Sequence, residues 1–228
     1  MSQIQALKIK LCSEYEVTDD GLVDAMSYIA GIQSKHVEKI TLDFSEMNLI
    51  GFGESLHKAL VRILTSLKSL REFELKFAKV TKSISSIWNR TFKELIGTQL
   101  PIKTLKIALK FDDERNLIDE VYFSFLESLS SQNNLENFYL NIRLDSQARR
   151  RGFDKEKAVK KAINLVLQKL NCLNFLKRLK VTFEKGFTHV KFQDVLKLKS
   201  LQDLTCIPRL WIAWENNIIT ESSIVHNI

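Results

Sequence analysis

Glycine and proline are scarce in this chain, with seven glycines and two prolines among 228 residues. Their share is about 4%, against an average of about 12%. The scarcity argues against collagen-like and Gly/Pro-rich disordered chains, and it weakens the case for a sandwich of many tight hairpins. Hydrophobic residues make up 45% and charged residues 27%, a globular composition in a chain long enough to bury a sizeable core.

Long apolar runs and paired cysteines are also absent. No stretch approaches the roughly 18 apolar residues of a membrane helix, and the N-terminus, MSQIQALKIKL, lacks a charged region followed by an apolar one. The three cysteines, Cys12, Cys172 and Cys206, are far apart and form no CxxC pair. We therefore expect reduced thiols in a cytoplasmic protein that has no secretory signal and no membrane span.

An apolar pattern, L-x-x-L-x-L-x-F with other large apolar residues allowed, occurs six times and begins a seventh time. The spacings between its second apolar positions are 33, 33, 32, 33, 41 and 25 residues. Nearly equal spacings of this kind indicate one supersecondary unit repeated along the chain. These second positions, called anchors below, are Leu7, Ile40, Phe73, Leu105, Phe138, Leu179 and Leu204.

Each copy predicts a short strand that is followed by a helix. The last three apolar residues of a copy alternate with polar ones, which indicates a strand with one buried face. In the third copy Phe73 and Leu75 should be buried, and Glu72 and Glu74 should be exposed. Between the copies the apolar period becomes helical, as at Leu22, Met26, Ile29 and Ala30; Leu56, Leu60, Ile63, Leu64 and Leu67; Val121, Phe125, Leu126 and Leu129; and Ala158, Ala162, Leu165, Val166 and Leu170.

Stacked units of this kind form a parallel sheet lined by helices. Over roughly residues 4–207 the sequence resembles the leucine-rich repeat family, nearest to its long, ribonuclease-inhibitor-like repeats. The family has Asn or Cys three residues after the third apolar position, and only Cys12 fits that pattern here. The resemblance implies an α/β solenoid, an irregular horseshoe of about seven strand–helix units. The alternative is a doubly wound α/β domain, whose strands usually read as continuous apolar runs.

The outward strand positions are the first candidate binding surface. The family commonly binds protein partners on the concave sheet, and Tyr139 is the only aromatic residue among the outward positions, near the middle of the array. A central exposed tyrosine suits the anchor of an interface, and Lys106 and Lys180 are outward residues of neighbouring copies. The charges on this face are mixed, which gives no indication of a ligand of one sign. A merely solvated face is the alternative.

A basic insert is the second candidate. The spacing of 41 marks about eight additional residues after the fifth strand, and residues 149–161 hold seven basic and two acidic residues, 7 − 2 = +5 of the chain's net +7. Such a concentration of charge steers acidic protein surfaces, nucleic acid or anionic lipid. The interleaved aromatic residues of RNA-binding modules are missing, and a solvated loop remains an alternative. The proposed contact residues are Arg149, Arg150, Arg151 and Lys155.

The C-terminal segment is the third candidate. Pro208 occupies the next inward position, so we expect the seventh strand to be cut short. Residues 209–219 are too apolar for a disordered tail, and Trp211 and Trp214 either cap the last repeat or insert into a partner. We therefore divide the chain into a solenoid, 1–208, and a cap or partner-binding tail, 209–228.

No catalytic motif emerges from the sequence. Gly51 and Gly53 lack the third glycine of a dinucleotide fingerprint, and there is no phosphate-binding loop, no G-x-S-x-G elbow and no metal-ligand spacing of histidines. We expect a non-enzymatic adaptor or scaffold without cofactor or metal. Its partner is another protein, and an acidic, tubulin-like surface in a cytoskeletal or ciliary setting would suit the basic charge. The alternative is a ribonucleoprotein repeat protein that uses the basic insert on phosphates.

Overall fold

The computed structural model describes residues 5–12, 19–31, 36–46, 53–77, 82–94, 101–111, 123–130, 132, 134–144, 161, 164–166, 168–173, 175–184, 203–209 and 224–227. The strands are β1 Ala6–Cys12, β2 Lys39–Glu46, β3 Glu72–Phe77, β4 Thr104–Phe111, β5 Asn137–Leu144, β6 Arg178–Glu184, β7 Asp203–Arg209 and β8 Ile224–Asn227. The helices are α1 Asp19–Gly31, α2 Gly53–Ser66, α3 Lys82–Glu94 and α4 Phe125–Leu129. Residues 164–166 and 168–170, between β5 and β6, are also helical.

The strands lie side by side in their sequence order, β1 to β8. Strands β1 to β7 are parallel, and β8 runs antiparallel to β7. The predicted α/β alternation with a parallel sheet is confirmed, and the seven anchors occupy one row across the sheet. A doubly wound sheet reverses its strand order where its halves meet. The order of the described strands contains no such reversal.

One backbone contact repeats at the start of successive strands. The carbonyl of Gln5 accepts the N–H groups of Glu38 and Lys39 at 2.9 and 3.1 Å. From β1 to β6 each unit is therefore joined to the next by the same pair of hydrogen bonds, which gives the period in the sequence its physical basis. The carbonyls that accept two N–H groups in this way, at 2.7–3.1 Å, belong to Gln5, Glu38, Arg71, Lys103 and Glu136.

The core lies on one face of the sheet, as the alternation predicts. Phe73 and Leu75 have no exposed surface. Glu72 and Glu74 point the other way, but they are half-buried instead of exposed, with 26% and 22% of their side chains accessible. Side chains from the neighbouring strands crowd them, so the outward face is more enclosed than a single strand suggests. The helical stripe predicted for α2 is buried throughout, and its last residue follows the end of the helix directly: Leu56, Leu60, Ile63, Leu64 and Leu67.

The fourth apolar position of the repeat extends the core beyond the usual three. Phe44 and Phe77 are buried and stack with ring centroids 5.3 Å apart and an interplanar angle of 14°. Leu109 and Ile142 continue this buried row on β4 and β5. Apolar packing therefore joins β2 to β5 at the position directly before the one at which the resembled family has Asn or Cys.

Helix α3 lies between Phe77 and Ile102, as the strand–helix unit predicts, and Ile84, Ile87, Trp88 and Phe92 recur in its sequence at helical spacing. One feature differs from the sequence predictions. The prediction that β7 is cut short at Pro208 is wrong, because the strand continues to Arg209. Strand β8 pairs only with residues 203–206, so the missing N–H of Pro208 lies beyond that pairing.

Candidate functional site

The outward side chains of β2 to β6 line an open groove of about 760 Å³. The groove lies on the sheet face opposite the buried side chains, called the open face below. Tyr139, Lys106 and Lys180, predicted from the sequence, all line it. Lys106, Tyr139 and Lys180 are register neighbours on β4, β5 and β6. Since adjacent strands are about 4.8 Å apart, the three residues form a row about 10 Å wide across the sheet.

Tyr139 is held in the groove by its neighbour on β4. The ammonium nitrogen of Lys106 lies 5.3 Å from the centroid of the Tyr139 ring, the geometry of a cation–π contact. Such a contact stabilises a solvent-accessible pair by about 0.5–1 kcal/mol. The ring is half-buried, so it keeps surface for a ligand while its position is restrained.

Lys106 also contacts an acid on β3. The Nζ atoms of Lys106 and Lys39 each lie 2.7 Å from Oε1 of Glu72, so one carboxylate joins three adjacent strands. Burial raises the pKa of Glu72, but the hydrogen bonds and charges of Lys106 and Lys39 outweigh burial and hold that pKa below its usual value. Glu72 is therefore ionised at neutral pH and fixes the position of Lys106.

Two outward residues of β2 are buried, contrary to the sequence prediction. Thr41 is 5% and Asp43 7% exposed, because side chains of both neighbouring strands surround them. The Thr41 hydroxyl donates to Oε2 of Glu74 at 3.2 Å, and Asp43 accepts hydrogen bonds from the backbone N–H and the hydroxyl of Ser45. Burial opposes ionisation of Asp43, but these bonds and the nearby lysines lower its pKa overall. On the β2 side of the groove, the polar groups of Thr41 and Asp43 are therefore hydrogen-bonded within the protein.

Register concentrates positive charge on one part of the face. The acids Asp43, Glu72 and Glu74 lie on β2 and β3 together with Lys39 and Lys76. On β4 to β6 the outward positions are neutral or basic, except for Glu184, the register neighbour of Arg143. The basic ones form what we call the basic strip: Lys106, Lys110, Arg143, Arg178 and Lys180. A sum over the whole face conceals this division, since the strand assignments are needed to see it.

One polar atom of the groove has no partner within the part of the chain that the structure describes. The side-chain oxygen Oδ1 of Asn141 is inaccessible to solvent and accepts no hydrogen bond there. Asn141 follows Tyr139 on the same face of β5 and lies between Ala108 and Thr182 in register. An unsatisfied buried acceptor costs about 1–3 kcal/mol, but because solvent does not reach this atom, the groove does not present it to a ligand.

The other predicted contact residues lie outside the described residues: Arg149, Arg150, Arg151, Lys155, Trp211 and Trp214. Their roles stay predictions. The division of the chain at residue 208 is likewise untested. Of the three cysteines, Cys172 is a free and exposed thiol.

A polar cluster that the sequence analysis misses joins α2 and α3. Nδ1 of His57 lies 3.1 Å from Oγ1 of Thr91, and Nε2 lies 2.8 Å from Oε2 of Glu94. The order hydroxyl, imidazole, carboxylate is that of a nucleophile with its base. Thr91 is fully buried and His57 only 3% exposed, so no substrate reaches the hydroxyl. The cluster therefore joins two helices.

Comparison with known proteins identifies no relative: no family model, no curated protein and no solved structure matches this chain. Within the described ranges, no three His, Cys, Asp or Glu side chains are grouped to hold a metal ion. None of the described helices has the length and apolar character that crossing a membrane requires.

Proposed function

We propose that this protein is a leucine-rich-repeat-like solenoid that acts as a non-enzymatic adaptor and binds a partner protein on its concave sheet face. The observation that carries the proposal is the groove on the open face, with Tyr139 at the centre of the basic strip. A sheet in sequence order with one buried face leaves its other face as a continuous surface for a partner. A restrained aromatic ring beside cations is the usual chemistry of an interface anchor.

The groove favours an acidic, extended protein segment. Cations on β4, β5 and β6 would attract its carboxylates. Tyr139 offers a ring face to an apolar side chain. The basic insert begins in the sequence directly after β5, the strand that carries Tyr139. We therefore propose that the insert, with Arg149, Arg150 and Arg151, extends the positive surface.

Nucleic acid is the rival ligand for the same cations. A single aromatic residue provides no stacking platform for successive bases, and the acids of β2 and β3 would repel a phosphate backbone that crosses the groove. Both arguments favour protein. An acidic protein surface such as that of tubulin, in a cytoskeletal or ciliary setting, is compatible with this chemistry as an analogy.

The test compares partner capture by two matched double variants. Tyr139→Ala with Lys180→Ala alters the groove. Tyr28→Ala with Lys58→Ala removes the same residue types from exposed positions on α1 and α2. Proteins that bind the wild type should be lost with the groove variant and retained with the control, as measured by affinity purification and mass spectrometry. Equal capture by both variants would refute the groove as the binding site.

Two further measurements refine the outcome. Replacement of Arg149, Arg150 and Arg151 by Ser should weaken capture without a change in melting temperature if the insert contacts the partner. Binding of a labelled oligonucleotide tests the rival, since phosphate contacts weaken by orders of magnitude between about 50 and 200 mM salt. Tight, steeply salt-dependent oligonucleotide binding that the groove variant abolishes would transfer the site to nucleic acid.

A further inference from the structure

The groove on the open face runs across the strands and not along them. Outward side chains that are register neighbours lie side by side, so they form rows that cross the sheet. The row four residues earlier in each strand, from Lys39 to Arg178, contributes no side chain to the groove. One row, called the central row below, lines the groove with all of its members from β2 to β6: Asp43, Lys76, Ala108, Asn141 and Thr182.

The central row is the floor of the groove, and longer side chains form its walls. On β4 to β6 the floor consists of short, half-buried side chains: Ala108, Asn141 and Thr182. Lys106, Tyr139 and Lys180 form one wall, and Lys110 and Arg143 form the other. The walls are four residues apart along the strands, about 13 Å, which leaves room for an extended peptide chain between them.

The part of the groove on β2 and β3 is unsuited to an acidic ligand. Asp43 is almost inaccessible, and the side-chain nitrogen of Lys76 lies 3.2 Å from Oε1 of Glu74. The carboxylates of Asp43 and Glu74 would repel an acid that lies over these strands. An acidic residue of the ligand therefore lies over β4 to β6, a distance of two strand spacings, or about 10 Å. An extended chain covers this distance in about three residues.

Ala108 forms a depression in the floor that suits an apolar side chain. Its methyl group lies between Lys106 and Lys110 along β4 and beside Lys76 on β3. The stems of these lysines are apolar methylene chains. The ring of Tyr139 lies on the neighbouring strand, diagonally across from Ala108 and within reach of a side chain placed there. An aliphatic side chain of a ligand would thus be covered by apolar groups on several sides.

We propose that the partner segment crosses β4 to β6 along the central row, with an aliphatic side chain over Ala108 and an acidic residue three positions away, beside Lys180. The inference rests on the proposed binding of a protein segment in the groove, and it adds the direction of that segment and the spacing of its side chains. Ala108 determines specificity in this arrangement, because any larger residue at position 108 would fill the depression.

The test begins with selection of peptides from a random dodecapeptide phage library on the full chain. Enriched peptides should contain an aliphatic residue and Asp or Glu three positions apart. In fluorescence anisotropy, one such peptide, made with a fluorescein label, should bind Ala108→Leu at least about tenfold more weakly than the wild type, because the added carbons occupy its site. Thr182→Leu fills the other end of the floor and should also weaken binding.

Thr104→Leu is the matched control. It adds bulk to the same face of β4, in the row that does not line the groove, and it should bind the peptide like the wild type. Two measurements do not depend on the folding of Ala108→Leu. Moving the acid of the peptide from the third position to the first should weaken binding to the wild type. A peptide with Lys in place of the acid should prefer Lys180→Glu to the wild type.

The outcomes distinguish this inference from the proposed function. If Tyr139→Ala with Lys180→Ala loses the peptide but Ala108→Leu and Thr182→Leu bind it like the wild type, the groove binds a segment that does not follow the central row. Equal binding of the peptide with the moved acid would overturn the spacing, and a selection that enriches no such peptide would overturn the inference as a whole. Peptides that bind the Tyr139→Ala, Lys180→Ala variant as tightly as the wild type would refute the groove itself.

Discussion

Phe138 and Tyr139 are adjacent aromatic residues on opposite faces of β5, and replacing each by alanine should separate stability from binding. Phe138 is fully buried between its register neighbours Leu105 and Leu179. Phe138→Ala should lower the free energy of unfolding by about 3–5 kcal/mol, because burial of the ring is lost and a cavity remains. Tyr139→Ala removes a half-buried ring and its contact with Lys106, which should cost about 1 kcal/mol or less.

Thermal unfolding followed by circular dichroism provides the measurement. In a chain of this size 1 kcal/mol shifts the melting temperature by about 2–4 °C, so we expect a decrease of about 6–20 °C for Phe138→Ala. Tryptophan fluorescence should be recorded in parallel, since stacked units can unfold separately. Below the lower melting temperature, Phe138→Ala should retain the captured partner and Tyr139→Ala should lose it. Equal destabilisation would mean that the faces of β5 are assigned wrongly.

The remaining predictions concern two side-chain contacts and the C-terminal segment. The pKa of Glu72 is lowered in the fold, so the stability that its ionised form contributes is present above the unfolded pKa of about 4.3 and is lost as pH falls through the folded pKa. In thermal unfolding, the stability difference between wild type and Glu72→Gln should therefore be larger at pH 7 than at pH 3. A constant difference would contradict this. His57→Ala should cost about 2–3 kcal/mol in urea denaturation, because Thr91 and Glu94 lose their shared partner; no change would exclude a stabilising role. Deletion of residues 209–228 removes β8 and uncovers the outer edge of β7. It should lower the melting temperature and cause aggregation that light scattering detects. A monodisperse protein with an unchanged melting temperature would show that the segment does not stabilise the fold.

The repeat is predictable because two simple periods coincide. Alternation places Phe73 and Leu75 in the core, and the recurrence of about 33 residues places all seven anchors in one row of the sheet. Each depends on local sequence alone. Helix α3 follows from the same helical period, since Ile84, Ile87, Trp88 and Phe92 recur in its sequence at i, i+3, i+4 and i+8.

The groove is less predictable, because its properties depend on register between strands. The outward position of Tyr139 follows from alternation, but its contact with Lys106 requires the pairing of β4 with β5. The burial of Asp43 depends in the same way on strands on both of its sides. A sequence read one strand at a time assigns such residues to solvent, although side chains some 33 residues away enclose them.

Strand pairing also gives two lysines of the groove, Lys106 and Lys180, different contacts. Lys106 is engaged twice, by the Glu72 carboxylate and by the Tyr139 ring, so its charge is partly neutralised and its side chain restrained. Lys180, on the other side of Tyr139, is half-buried and forms no ion pair with an acid among the described residues. Lys106 therefore positions the ring, whereas Lys180 is the cation that a carboxylate next to Tyr139 would meet. An acidic segment should consequently lie across β5 and β6, away from the acids of β2 and β3, on the side where the basic insert begins in the sequence.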